Sequence, residues 1–406
     1  MVGGDAMSGS RRPFQGFVGI DVSKDKFDAC GIRGDGAKLF QFSTTMDRKG
    51  FEKLKSHHSF VSPGSVLIGM ESTASYHVNL FSFLASEGYA VVVINPLLIS
   101  NYVKMQLRKT KTDKKDAWVI AQFLLANRDS LIRRATSPLI LDLRELARQR
   151  ESLVDQMTSL KNDIKRILNV TFPELEHMTG IFTKSILKLL QHYPSAYALK
   201  DIDLDQLTQM LIEDSYGRKR GAFAEALLKA ARSSIGTPSP MKDVILKQKV
   251  SLHLHLDEAL QEITEMLLQT SRGMMGDDMD LLNSIKGIGD KTAAGFLIEM
   301  GGDIRQFEDP NKIIAMAGID PAVRQSGKYE GSSRITKRGK RHLRRIIWLM
   351  TTQVIHYCDV FRVYYRKRRK DGLPYKKAVL ATSHKLIRVI YAMLTQRAAF
   401  CPIVNS

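Results

Sequence analysis

Cysteine, acid and long apolar runs are scarce in this chain. Its 406 residues include three cysteines, Cys30, Cys358 and Cys401, far apart and without CxxC spacing. That excludes a disulfide framework and a thiolate zinc site, and fits a reducing compartment. No apolar run reaches the roughly 18 residues of a membrane span. The small, polar N-terminus MVGGDAMSGSRRPFQG lacks the apolar stretch of a signal peptide, so an intracellular, cytoplasmic protein is expected. Acid is outnumbered, with 42 Asp+Glu against 61 Lys+Arg, a net charge of +19 and a sequence pI near 9.7. Apolar residues at 44% and charged residues at 25% are ordinary globular values, which excludes wholesale disorder. The length implies two or three domains. A globular chain this basic is expected to meet a polyanion, either nucleic acid or an anionic membrane surface.

The basic excess is local. Residues 321–370 hold 15 Lys/Arg against 2 Asp/Glu, so about two thirds of the net charge sits on about one eighth of the chain. RITKRGKRHLRR (334–345) and RKRRK (366–370) are interleaved with Tyr329, Trp348, Tyr357, Phe361, Tyr364 and Tyr365. A charge run is often only a solvated face. Density of this order beside aromatics instead points to phosphate neutralisation and base contact. A smaller cluster, KMQLRKTKTDKKD (104–116), lies upstream.

GFVGIDVS (16–23), FDACGI (27–32) and KLFQF (38–42) read as three strands joined by turn residues. A helix at about 47–58, an apolar strand at 65–72, a helix from Tyr76 to Glu87 and a strand at 89–95 follow. Three antiparallel strands followed by helix-separated parallel ones predict a mixed sheet with helices on its faces. Pro138 opens a helical regime. Leu139, Leu143, Leu146, Leu153, Met157, Leu160, Ile164 and Ile167 alternate at spacings of four and three, and Arg150 fills the missing place. Leu256, Leu260, Ile263 and Leu267 repeat the spacing, which predicts an antiparallel helical pair.

Four carboxylates carry the chemistry. Asp21 ends the first strand in GIDVS and Glu71 ends the fourth in GMEST. Both are placed where burial is costly without positive compensation. Asp113 and Asp116, in TDKKDA, are three apart and share a face of the helix that starts there. Thr112 or Asp113 serves equally well as its cap. Together the four bring a charge of −4, which two divalent cations balance. Hard cations such as Mg²⁺ prefer these oxygen ligands, and a metal pair stabilises phosphoryl transfer. Downstream, LLNSIKGIGDKTAAGFLIEMG (281–301) has a helix-hairpin-helix pattern. Gly287 and Gly289 let backbone N–H groups approach a phosphate, and Lys291 and Thr292 open the second helix. A plain interhelical loop is the simpler alternative. Ser326 follows in AGIDPAVRQSGK between Arg324 and Lys328, with no local triad partner.

The order GIDVSK, GMEST, KTDKKDA, KGIGDKTA, AGIDPAVRQSGK and ITKRGKRHLR over residues 16–355 resembles the insertion-sequence transposases with a DEDD motif, the IS-one-ten family. The resemblance implies an RNase-H/RuvC-like N-terminal α/β domain at 16–136 behind a flexible 1–15. It implies coiled-coil helices at 137–275 and a mostly α C-terminal transposase domain at 276–406 with the helix-hairpin-helix. By position it makes Asp21, Glu71, Asp113 and Asp116 the catalytic metal ligands for two Mg²⁺ ions, with Mn²⁺ as substitute. Ser326 falls on the family's catalytic serine. Many relatives have a longer Ser-Ser-Gly-Gly loop there; this chain has QSGK, with Ser332 and Ser333 close behind. Gly287, Gly289, Lys291, Thr292, Arg324, Lys328, Arg334, Lys337, Arg338 and Arg341 are the expected nucleic-acid contacts. The implied partners are donor and target DNA, a structured non-coding bridge RNA and further copies of the chain in a dimer or tetramer, in a nucleoid-associated prokaryotic enzyme. A serine nucleophile conserves the bond energy that hydrolysis discards. A RuvC-like junction resolvase or RNase-H-type nuclease using water is the alternative, and an inactivated nucleic-acid-binding relative is another.

Overall fold

The computed structural model describes residues 14–57, 62–71, 76–94, 96–105, 113–132, 137–215, 221–322, 325–326, 329–330 and 334–402. Expectations that fall on Thr112, Arg324, Gly327, Lys328, Ser332 and Ser333, and on most of the 104–116 basic cluster, lie outside these residues. The described residues divide into two compact units, one of residues 1–144 with 274–406 and one of residues 145–273. No described helix is long and apolar enough to cross a membrane.

The first unit begins with strands β1 (Gly16–Val22), β2 (Lys26–Arg33) and β3 (Lys38–Thr45). Helix α1 (Arg48–Ser56), strand β4 (Val66–Glu71), helix α2 (His77–Ser86), strand β5 (Ala90–Ile94), helix α3 (Pro96–Met105) and helix α4 (Asp113–Ile132) follow. One five-stranded sheet results, in the order β3-β2-β1-β4-β5. Its β1–β2 and β2–β3 pairs are antiparallel, and its β1–β4 and β4–β5 pairs parallel. The mixed sheet predicted from the apolar runs is therefore present. Both faces are covered, which is why β4 and β5 read as continuous apolar runs instead of alternating ones. Val18, Ile20, Val22, Ile68 and Met70 pack with Leu80, Phe81 and Leu84 of α2. Phe17, Cys30, Ile32 and Leu67 pack with Ala117, Ile120, Ala121 and Leu124 of α4.

The second unit is helical. Helix α5 (Pro138–Thr171) enters it, the short helices α6 (Leu175–Met178), α7 (Lys184–His192), α8 (Ala196–Leu199), α9 (Leu204–Ser215) and α10 (Gly221–Arg232) build its core, and helix α11 (Pro240–Asn283) leaves it. Arg150 Nε donates to Thr264 Oγ1 at 2.9 Å, and Lys249 Nζ to Asp163 Oδ2 at 2.6 Å. Rising numbers on α5 thus meet falling numbers on α11, as an antiparallel pair requires. Arg150 explains the gap in the apolar stripe, because its guanidinium has a hydroxyl partner there. The stripe begins differently from its sequence reading: Leu139 is 42% exposed, while Ile140 and Leu143 are buried at 2% each.

The C-terminal part of the first unit holds helices α12 (Asp290–Met300), α13 (Pro310–Ala317), α14 (Arg341–Tyr357), α15 (Asp359–Lys370) and α16 (Tyr375–Gln396). Every residue of α12 from Ala293 to Met300 is buried. Between α13 and α14 lie four two-residue strands, β6 (Pro321–Ala322), β7 (Gln325–Ser326), β8 (Tyr329–Glu330) and β9 (Arg334–Ile335). The first two turns of α5 belong to this unit. Leu141 packs against the sheet core, and Arg144 donates to the Ile298 carbonyl of α12 at 3.2 Å.

Candidate active site

Alternation along the strands decides where the acids go. Successive residues face opposite sides, so Asp21 shares its side of β1 with Phe17 and Gly19, and Glu71 shares its side of β4 with Leu67 and Gly69. This is the α4 side, to which Phe17 and Leu67 belong. The β1–β4 register runs to Ile20 opposite Met70, and its next step sets Asp21 beside Glu71. Both carboxylates stand at carboxyl ends of adjacent parallel strands, the usual location of a site in such sheets. Each is half-buried.

Helix α4 comes unusually close to that face. A Cβ at Gly19 would lie 2.1 Å from the Ala117 carbonyl oxygen and 2.3 Å from the Ala121 nitrogen. Only glycine allows backbone to approach backbone in this way. Asp116, half-buried, immediately precedes Ala117, and Asp113 opens the helix one turn earlier. The contact that demands Gly19 therefore holds α4 against β1 at Ala117, one residue past Asp116.

One further acid stands beside Asp21, and it is visible only once the strands are paired. Asp28 on β2 lies directly opposite Asp21 in the antiparallel register and is only 4% exposed. Lys26 Nζ stands 3.8 Å from its Oδ2. The signal was the pairing itself: once a hairpin joins β1 and β2, Asp21 must face a charged partner. Like charges directly opposite one another are destabilising unless a cation offsets them. The donor set is all carboxylate oxygen, which suits a hard divalent ion. Among the described residues no group of three or more His, Cys, Asp or Glu side chains is disposed to hold a metal by itself. The side chain of Asp113 lies outside them.

Ser326 occupies a different device. Strands β7 and β8 pair antiparallel, with Gln325 opposite Glu330 and Ser326 opposite Tyr329. Below it, β6 and β9 pair Pro321 with Ile335 and Ala322 with Arg334. The base of this hairpin is a mutual glycine crossing. A Cβ on Gly318 would fall 2.5 Å from the Gly339 nitrogen, and one on Gly339 would fall 2.2 Å from the Met316 carbonyl oxygen. Lys337 N donates to Gly318 O at 3.1 Å, Lys340 N to Met316 O at 2.7 Å, and Arg344 to Ala317 O at 2.7 Å. Lys340 Nζ also donates to the carbonyl of buried Glu299 on α12 at 2.9 Å. His384 of α16 donates through Nε2 to Ile319 O at 3.2 Å, and burial holds its pKa below the ordinary histidine value.

The expected nucleic-acid contacts separate into two kinds. Gly287 has φ +102°, and a Cβ there would meet the Gln353 carbonyl of α14 at 2.8 Å. Packing against α14 therefore accounts for this glycine without any phosphate. Gly289 has open space where its side chain would be, and caps α12, with its N–H donating to Thr292 Oγ1 at 3.3 Å. Lys291, Lys337, Arg338 and Arg341 are exposed. Lys337 adopts φ +52°, in the turn that crosses Gly318. Arg334 lies in β9, and Arg324 and Lys328 lie outside the described residues.

Two family profiles match this chain. One, the DEDD-type IS110 domain described as "Transposase", covers residues 18–173. The other, described as "Transposase IS116/IS110/IS902 family", covers residues 279–366. The chain is 25% identical to the insertion element IS116 uncharacterized 44.8 kDa protein of Streptomyces clavuligerus, over 95% of this chain and 96% of that one. It is 25% identical to the transposase for insertion sequence element IS1111A of Coxiella burnetii, over 94% and 90% respectively. The pilin gene-inverting protein of Moraxella lacunata is 23% identical over 95% and 97%. The two profiles fall on the two structural pieces just described, the acid-bearing sheet and the clamped serine hairpin. On these matches and this architecture, the chain belongs to the IS110/IS116 family of insertion-element transposases, enzymes of DNA recombination.

Proposed function

We propose that this transposase cuts and rejoins donor and target DNA through a covalent phosphoserine intermediate. Ser326 is the nucleophile, and Asp21, Glu71, Asp113 and Asp116 hold a pair of Mg²⁺ ions. The observation that carries the reading is the convergence of Asp21 and Glu71 at the carboxyl ends of adjacent strands, on the sheet face that α4 covers. The sheet domain then works as a RuvC-like catalytic domain, α5 and α11 as a coiled coil, and the hairpin before α12 as a helix-hairpin-helix. Bound there, the metal pair supplies positive charge to the oxygens of the scissile phosphate.

The chain's own residues do the rest. Ser326 Oγ forms a bond to phosphorus, the bond from phosphorus to the leaving strand's oxygen breaks, and the hydroxyl proton ends on that oxygen. A free serine is a weak nucleophile, so the hairpin's value is positional: its base is held by the Gly318–Gly339 crossing. Arg324 and Lys328 flank it and offset phosphate charge. A second DNA end attacks the phosphoserine, and the serine is regenerated. The two pieces come from different subunits of a dimer or tetramer, a structured bridge RNA guides target choice, and the pilin gene-inverting relative fits a recombinase that rejoins what it cuts.

Replacing Ser326 by Ala tests the chemistry. Denaturing gels of a reaction with end-labelled DNA are expected to lose the covalent protein–DNA adduct and the recombinant product together. Cleavage that persists without an adduct identifies water as the nucleophile and overturns the proposal in favour of a junction-resolving nuclease.

A further inference from the structure

Tyr375 escaped the sequence pattern because it lies outside the basic run, yet the structure sets it at the centre of an aromatic group drawn from three helices. Its ring stands 6.2 Å from Trp348 of α14 at 78°, and 6.4 Å from Tyr365 of α15 at 79°. Both contacts are edge-on, and Tyr375 is 51% exposed. Among the described residues none of these three rings has a parallel stacking partner. Tyr364, one residue away, is the opposite case. Arg368 lies 5.0 Å from its centroid and Lys385 4.6 Å, so cations already occupy its ring.

The setting is held in place and positively charged. Gly372, with φ +85°, turns α15 into α16, and Arg369 caps the turn by donating to Leu373 O at 3.0 Å. The only acids between residues 358 and 388 are Asp359 and Asp371. Each is paired, with Arg362 at 2.7 Å and Arg368 at 3.2 Å. Arg366, Lys367, Lys370, Lys376 and Lys377 are exposed, and have no ion-pair partner among the described residues. Lysine-rich surface of this kind is depleted from protein–protein contacts, which argues against a protein occupant.

We propose that Trp348, Tyr365 and Tyr375 form a stacking platform for unpaired nucleotides of a single DNA strand, with the surrounding cations on its phosphates. Duplex DNA keeps its base faces closed by their neighbours, whereas an unpaired base offers a free face to an aromatic ring. A recombinase that exchanges strands must separate them, so its substrate supplies such bases. The platform is independent of the acid and serine assignments, and the binding test below does not depend on catalysis.

The test uses the full chain, a single-stranded DNA 20-mer carrying 2-aminopurine, the same sequence as a duplex, and the same sequence as single-stranded RNA. Wild-type protein is expected to quench 2-aminopurine in the single DNA strand. Tyr375→Leu is expected to abolish the quench and weaken single-strand binding about tenfold, while duplex binding changes less than about twofold and Tyr375→Trp restores the single strand. Lys376→Ala with Lys377→Ala weakens both forms and lowers the salt slope. Equal loss on single strand and duplex overturns the platform. Absence of quench by wild-type protein overturns it without any variant. An effect of Tyr375→Leu confined to the RNA strand overturns the DNA assignment.

Discussion

The acid-bearing sheet and the serine hairpin achieve precision by opposite means. Asp21 and Glu71 ride on strands of seven and six residues inside a five-stranded sheet. Their positions are set by a ladder of backbone bonds and a buried core on each face. Ser326 rides on a two-residue strand. Two residues supply almost no ladder, so its position depends on the glycine crossing and the few bonds beneath it. The sheet is over-determined and the hairpin is tethered at one place. The proposed metal ligands, which must hold cations at fixed spacing, suit the first arrangement. The proposed nucleophile, which must reach DNA, suits the second.

The contrast is open to attack by substitution. Asp21→Ala is expected to have the largest effect, lowering recombination of a donor and target plasmid by about 10²–10³ or more while leaving the melting temperature nearly unchanged. Gly339→Ala strikes the tether. Its new Cβ lies 2.2 Å from a backbone oxygen, and displacement of the hairpin by about 1 Å is expected to cost about 10² in recombination with little change in global stability. Gly19→Ala should reverse that balance. Its Cβ meets α4 backbone at 2.1 Å, and overpacking there costs about 1–3 kcal/mol, read as a lower denaturation midpoint. A Gly339→Ala protein that unfolds as easily as Gly19→Ala would remove the distinction between the two devices.

A smaller effect follows from His384. Burial lowers its folded pKa from 6.5, so the unfolded chain binds the proton more tightly and protonation favours unfolding. The stability this neutral ring provides is fully present above pH 6.5 and is lost as pH falls from there through the lowered folded value. The melting temperature is expected to drop between pH 7 and 5, and His384→Gln, which keeps a donor toward Ile319, to flatten part of that drop. His253, also shifted down by burial, contributes the same sign from the helical unit.

The sheet was legible because buried parallel strands leave continuous apolar runs and their carboxyl ends are marked by acids that no core accepts. The helical pair was legible from its stripe, although Leu139 and Ile140 exchange roles: with Pro138 at the helix start, Ile140 packs beneath Gly302. Asp28 was not legible, since its meaning lies in the residue across the hairpin. Gly287 was legible as a glycine with a purpose, but the reason is the passing backbone of α14, some sixty positions on. Tyr375 stayed hidden for the same reason, because its two ring partners come from other helices.

The crossing of Gly318 and Gly339 has one more consequence. The neck is closed by backbone bonds between residues 316–318 and 337–340, so residues added or removed between Ala322 and Arg334 leave those bonds intact, and insertions are best tolerated where little backbone is committed. Loop length is thereby free to vary without the rest of the domain being rebuilt. Under the proposed chemistry, a lineage of these enzymes can tune the reach of the serine loop while inheriting the same anchorage unchanged.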